Sequence, residues 1–198
     1  MGALRLHKLE EEFAGQIKLA WKSYPLAIDE KKDRRYGSKS SVSWLRAMEE
    51  EQGLTFRPHQ AGDPAPTSSL PAQVAAKAAL EQGYGAFKRY HMKLFEAHFG
   101  RLLDISNKQV LLDLAQEAGL DVEQLGREMD DPKWTQLVLA EKEEGDRDYK
   151  DWGPGVPLAV FGNQFPVLGA VPIEMYRHAV KRLLGTDPKP RWALTVEQ

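Results

Sequence analysis

Apolar residues recur every three or four positions near the start of the chain, and this spacing predicts a helix over residues 3–13. Its apolar side carries Leu6, Leu9 and Phe13, and Arg5 and Lys8 fall on its polar side. After Gly15 the pattern changes to an alternation of apolar and polar residues. The alternation predicts a half-buried strand over Ile17–Leu26.

The middle of the chain is predicted to be almost wholly helical. A charged loop over 29–41 and a short helix over 44–53 precede a connector rich in proline and glycine, and residues 70–150 then have helical spacing throughout. Pairs of capping residues divide this block into separate helices. They are Ser106 with Gln109, Asp121 with Gln124, and Asp131 before Pro132.

The segment GVPLAVFGNQFPVLGAVP, residues 155–172, has a different character. Two short apolar runs flank Gly162-Asn163, a turn signal, so the segment predicts a β-hairpin. Pro166 cannot donate a ladder hydrogen bond, which places the second strand at a sheet edge. Pro172 then opens a helix that Gly185 ends.

Composition and charge exclude several classes of function. The 198 residues include 27 basic and 29 acidic residues, a net charge of -2, which gives no reason to expect nucleic acid or an anionic membrane as a partner. No run approaches the roughly 20 apolar residues of a membrane span, and the first residues lack the apolar core of a signal peptide, so we expect a cytoplasmic protein. The chain contains no cysteine, which excludes disulfides, thiolate catalysis and thiolate metal sites from these residues.

Other candidate chemistry is weak. His91 and His98 share a helical face but lie roughly 10 Å apart along the helix axis, too far for one metal ion. The acidic clusters lie in highly charged, solvated stretches, and no phosphate-binding loop or serine-nucleophile motif occurs. Aromatic residues at helical spacing favour a core over a pocket, so we expect no catalytic residue, no metal and no cofactor. These aromatic residues include Phe87, Tyr90 and Phe95.

Several segments in order resemble the DsbA-like oxidoreductases, in the branch shared with 2-hydroxychromene-2-carboxylate isomerase-like proteins. They are GLTF, AAKAALEQGYGAF, HMKLFEAHF, DIS, LLDLAQEAGLD and GVPLAVFGNQFPVLGAVP. The resemblance covers roughly residues 3–185 and implies an α/β thioredoxin-like fold with a large all-helical insertion. It implies a single domain over 1–198, with thioredoxin-like parts at 1–29 and 153–186 and the helical insertion at 42–150.

The chain departs from this family at its beginning. In the family, a first strand leads into a C-x-x-C motif or a serine-containing variant, and Met1-Gly2 aligns with the end of that pattern. The first strand and both cysteines are therefore missing. We expect Met1 to be an internal methionine of a longer protein. The alternatives are a redox-inactive relative that closes the gap in the sheet by dimerising or by moving its strands together, and a chain that was shortened on purpose.

The resemblance also implies a substrate site at Val156 and Pro157. In thioredoxin-like proteins a cis-proline faces the active site, and the residue before it pairs with a bound peptide strand. The family's activity is thiol–disulfide exchange, which this chain should lack without cysteine. A non-catalytic module that binds a peptide or small ligand and a glutathione-dependent isomerase relative are alternatives. The expected partner is a peptide or a small thiol, and a homodimer is possible.

Overall fold

The computed structural model describes residues 1–37, 44–45, 49–50 and 55–186. Residues 44–45 and 49–50 are helical, and seven other α-helices and two strands have both of their ends within the described residues. They are α1 (Gly2–Glu12), α2 (Leu70–Ala78), α3 (Tyr84–Phe95), α4 (Lys108–Glu117), α5 (Val122–Asp130), α6 (Pro132–Trp152), β1 (Leu158–Phe161), β2 (Phe165–Leu168) and α7 (Ile173–Leu183). The predicted short helix over 44–53 lies partly outside the described residues.

The chain divides into two compact units. The hairpin unit comprises Met1–Ala20 and the chain from Asp148 onward, and the helical unit comprises Trp21–Arg147. The domain boundaries predicted from the resemblance stay a prediction. No helix within the described residues is long and apolar enough to cross a membrane.

The helical unit has an extensive apolar core, which is lined by α2 to α6. Tyr90 is fully buried there, and its hydroxyl donates a hydrogen bond to the Leu111 carbonyl at 3.0 Å. Phe87 is 2% exposed. The interpretation of Phe87 and Tyr90 as core residues is therefore confirmed.

Helix boundaries in the helical unit largely follow the predicted capping residues. Asp121 accepts a hydrogen bond from the Gln124 amide at the start of α5, as predicted. The prediction for α4 was wrong by one residue, because Asn107 rather than Ser106 occupies the N-cap. The Asn107 side chain accepts from the Gln109 and Val110 amides.

The strand predicted over Ile17–Leu26 is wrong, because residues 17–26 form no strand. Alternation predicts only that a segment can lie half-buried, and a strand also needs a neighbouring strand to pair with. Side chains of the helical unit bond this backbone instead. Ser23 N–H donates to Glu141 Oε2 at 2.6 Å, and Lys77 Nζ donates to the Trp21 carbonyl at 2.6 Å.

The hairpin unit contains the only sheet found among the described residues. Strands β1 and β2 pair antiparallel, with Leu158 opposite Leu168 and Val160 opposite Pro166. Phe161, on the other face of β1, packs near the fully buried Tyr176 of α7, with ring centroids 6.2 Å apart. The predicted hairpin is therefore confirmed.

Candidate functional site

The candidate site lies where the chain enters β1. Val156 is 47% exposed, and the Val156–Pro157 peptide bond is cis. Pro157 is fixed to the hairpin through its carbonyl, which accepts a hydrogen bond from Gly169 N–H at 2.8 Å. The backbone N–H and C=O of Val156 make no hydrogen bond with any described residue. An exposed residue with two unpaired main-chain groups thus precedes a proline held by the sheet.

The first residues of α1 pack directly against Pro157. A Cβ atom placed on Gly2 would lie 2.5 Å from Pro157 Cγ, closer than real Cβ atoms come to other carbons. Gly2 is therefore required for this close approach. The contact brings the N-terminus of α1, the positive end of its helix dipole, beside the proline.

Arg5 holds the segment after β2, which the sequence analysis missed. The residue was assigned to the polar side of α1, but it is 4% exposed. Its Nη1 donates hydrogen bonds to the carbonyls of Ala170 and Val171 at 2.7 and 2.8 Å. Arg5 follows Leu4 and precedes Leu6, so its position beside apolar residues was the only available signal.

Tyr176 reinforces the same segment from α7. Its hydroxyl donates to the Gly169 carbonyl at 2.6 Å, and burial raises the pKa of this hydroxyl. Gly169 therefore bonds Pro157 through its N–H and Tyr176 through its carbonyl. This chain of contacts fixes the proline without using any polar group of Val156.

Val156 offers a main-chain donor and a main-chain acceptor beside Pro157, but the chain has no cysteine thiol to act as a nucleophile there. A helix N-terminus stabilises a thiolate where a cysteine is present, yet none of the 198 residues is a cysteine. What the arrangement can do is present one donor and one acceptor to an extended main chain. The substrate-binding role of these two residues stays a prediction.

An antiparallel hairpin followed by a helix, with a helical unit inserted into the chain before it, agrees with the predicted class of thioredoxin-like proteins with a helical insertion. The family model described as the DSBA-like thioredoxin domain matches residues 1–181, and the chain belongs to this family. The predicted thioredoxin-like fold and the resemblance to DsbA-like proteins are thereby confirmed. No curated protein sequence matches the chain at a significant level.

Two solved structures share the fold. A candidate DsbA oxidoreductase from Streptomyces coelicolor is 19% identical with a TM-score of 0.71, and the match covers 96% of this chain and 87% of that one. A candidate protein disulfide isomerase from Nitrosomonas europaea is 16% identical with a TM-score of 0.66, and the match covers 93% of this chain and 88% of that one. At these identities the likeness establishes the fold alone.

Proposed function

We propose that this chain is a DsbA-like module that binds an extended peptide at Val156 and Pro157 without carrying out thiol–disulfide exchange itself. The observation that carries the proposal is that Val156 is 47% exposed and that its N–H and C=O have no hydrogen-bond partner among the described residues. An extended peptide can pair with both groups, as in strand addition at a sheet edge.

The rigidity of the proline supports this binding role. Pro157 is held by Gly169 on one side and by the close contact with Gly2 on the other. A site that is already ordered before binding does not lose conformational entropy when the peptide arrives, which favours affinity. Contacts that hold Pro157 in place before binding favour a preformed site over one that forms only when the peptide binds.

The absence of a thiol separates this proposal from the activity of an oxidoreductase. Disulfide exchange begins with attack by a thiolate, and these residues supply none. The glutathione-dependent isomerase alternative has no site residue in the described structure to favour it.

The test uses S-alkylated insulin B chain, an unfolded peptide without free thiols, labelled for fluorescence anisotropy. We expect saturable binding that Pro157→Ala weakens by about tenfold, which corresponds to roughly 1.4 kcal/mol. Leu183→Ala serves as a matched control, because Leu183 is an exposed apolar residue of α7 (42% exposed) and should leave binding unchanged.

Two results would contradict the proposal. One is binding that Pro157→Ala does not change while circular dichroism shows the variant to be folded. The other is reduction of intact insulin by the chain above the background rate in glutathione, which would require a catalytic group other than a thiol.

A further inference from the structure

A groove lies in the hairpin unit between β2 and α7. Its volume is about 360 Å³, which falls within the range of small-molecule sites. Much of its wall is apolar, since it is formed by Phe165 and Val167 of β2 and by Ala179 of α7. The other lining residues are Glu174, Met175, His178 and Arg182. Val156 and Pro157 are not part of this wall, so the groove is separate from the site of the proposed function.

One end of the groove, beside the hairpin turn, carries the cation Arg182. Its guanidinium carbon lies 4.9 Å from the centroid of the Phe165 ring. Stacking on an aromatic ring holds the plane of the guanidinium and leaves the N–H donors at its edge unused. The carboxylates of Glu12 and Glu174 both pair with Arg177 instead. Within the described residues Arg182 is therefore a cation without a carboxylate partner.

The opposite end of the groove carries a negative charge. Glu174 lies in the first turn of α7, and its side chain is 72% exposed. Arg182 follows it eight positions later, so the two residues lie about 12 Å apart along the helix axis. An anion in the groove is therefore attracted to one end and repelled from the other.

The outer edge of β2 offers an incomplete set of hydrogen bonds to a peptide strand. Antiparallel residues alternate between pairs that exchange hydrogen bonds and pairs that do not. Gly169 N–H donates to the Pro157 carbonyl, so Pro166, three positions earlier, lies opposite Val160 in a pair without hydrogen bonds. Its ring nitrogen therefore faces outward and has no hydrogen to donate. This favours a ligand that needs no main-chain pairing with β2.

We propose that the groove binds a small monocarboxylate with an apolar body, its carboxylate on Arg182 and its apolar body against Val167 and Ala179. A guanidinium can donate two parallel hydrogen bonds to a carboxylate, which fixes the orientation of the ligand as well as its position. The apolar body then extends towards Glu174, where a second negative charge on the ligand would be repelled. The groove therefore selects a monocarboxylate over a dicarboxylate.

The test is a titration with 4-phenylbutyrate that follows the NMR signals of the Val167 and Ala179 amides. We expect saturable shifts with a dissociation constant on the order of 0.1–1 mM, because an open groove covers only part of a ligand of this size. The neutral 4-phenylbutanamide has the same shape and should bind about tenfold more weakly. The dicarboxylate 4-(4-carboxyphenyl)butyrate should also bind more weakly, because its second charge lies towards Glu174.

Three variants assign the effect to single charges. Arg182→Gln should weaken 4-phenylbutyrate about tenfold and leave 4-phenylbutanamide unchanged. Lys181→Gln is the matched control, because it removes the same charge one position away from a residue that does not line the groove. It should change affinity by less than about twofold, since exposed charges are screened by salt. Glu174→Gln should bring the dicarboxylate close to the affinity of the monocarboxylate. Circular dichroism checks that each variant is folded.

Several results would overturn the inference. They are the absence of saturable shifts, equal affinity for 4-phenylbutyrate and either comparison ligand, equal weakening by Arg182→Gln and Lys181→Gln, and shifts of the groove amides that only S-alkylated insulin B chain produces. The last result would assign the groove to a peptide. Because the titration contains no peptide and Val156 does not line the groove, failure of this inference and failure of the proposed peptide binding are separate observations.

Discussion

The helical unit and the hairpin unit each contain an ion pair that links distant parts of the sequence, and the two pairs differ in burial. Lys77 and Glu141 lie 2.7 Å apart in the helical unit with side chains only 6% and 8% exposed. Arg177 and Glu12 lie 2.6 Å apart in the hairpin unit, where their side chains are 29% and 38% exposed. Because Lys77 and Glu141 are buried, removal of either side chain would leave the other charge without its partner in the core, which lowers the free energy of unfolding. The second pair is screened by water.

The units differ in the same way in their apolar contacts. The helical unit has a continuous core in which Leu111, Leu125 and Val138 are fully buried. The hairpin unit buries fewer large side chains, chiefly Leu9, Tyr176 and Val180. The helical unit is thus stabilised by its core, whereas the hairpin unit depends on close backbone contacts around Pro157. Substitutions in the two units should therefore differ in cost.

The largest effect is expected from breaking the buried pair. Lys77→Met leaves the Glu141 carboxylate without its cation and the Trp21 carbonyl without its donor, so unfolding free energy should fall by about 3–5 kcal/mol. Urea denaturation measures this loss. The double variant Lys77→Met/Glu141→Leu should be clearly more stable than Lys77→Met. A double variant as unstable as the single one would mean that the charge is not what matters.

The next effect tests His98 in the helical unit. Burial, with smaller contributions from Arg34 and His59, lowers the pKa of His98 to about 4. His98 therefore binds a proton more tightly in the unfolded chain than in the folded chain. The neutral imidazole contributes fully to the free energy of unfolding above pH ~6.5, and this contribution is lost as the pH falls towards about 4. The loss should reach up to ~3 kcal/mol.

Denaturation curves across this pH range should be compared with those of His98→Phe, which keeps a ring beside Trp44 and Phe99 but cannot titrate. The variant should show a flatter dependence of stability on pH. Equal slopes for the two proteins would contradict the assignment of this effect to His98.

A smaller effect is expected from the close contact in the hairpin unit. Gly2→Ala places a methyl group 2.5 Å from Pro157 Cγ, so the start of α1 must shift, at a cost of about 1–3 kcal/mol. Thermal unfolding measures the change. In a Pro157→Ala background the same substitution should cost much less. An equal cost in both backgrounds would mean that the contact with the Pro157 ring is not the cause, since helix propensity alone favours alanine over glycine.

The smallest effect is expected from the exposed pair. Arg177 donates to both carboxylate oxygens of Glu12, at 2.6 and 2.8 Å. Glu12→Gln removes the negative charge and one of these two acceptors, and should cost about 0.2–1 kcal/mol. The Arg177 hydrogen bond lowers the pKa of Glu12, so the contribution is present at neutral pH and fades on acidification. A double-mutant cycle with Arg177→Gln gives the coupling. A coupling as large as that of Lys77 and Glu141 would remove the contrast between the units.

The sequence predicted most of the helices and the hairpin because their signals are local. Gly162 and Asn163 both adopt the positive φ of a tight turn, and Asp121 caps its helix as its spacing predicts. The strand over Ile17–Leu26 failed because pairing depends on a neighbour distant in sequence. The partners of that backbone, Lys77 and Glu141, are 56 or more positions away from it.

The candidate site was only partly predictable for the same reason. Val156 and Pro157 were identified through the resemblance, and their peptide-binding role stays a prediction. The residues that hold them, Gly2, Arg5 and Tyr176, come from both ends of the chain, and no local pattern links them. A buried arginine that bonds two carbonyls has the same sequence signature as an exposed one.

The single proline of β2 sets a limit on the size of any assembly built from this sheet. A sheet with two open edges can add copies without end and grow into a fibre. Here Pro166 removes the outward N–H from the edge of β2, so a further strand cannot form a complete set of hydrogen bonds there. Growth through the edge of β2 is therefore disfavoured. Exchange of Pro166 for a residue with an N–H, such as valine, would restore this donor and leave the edge of β2 open to pairing between chains.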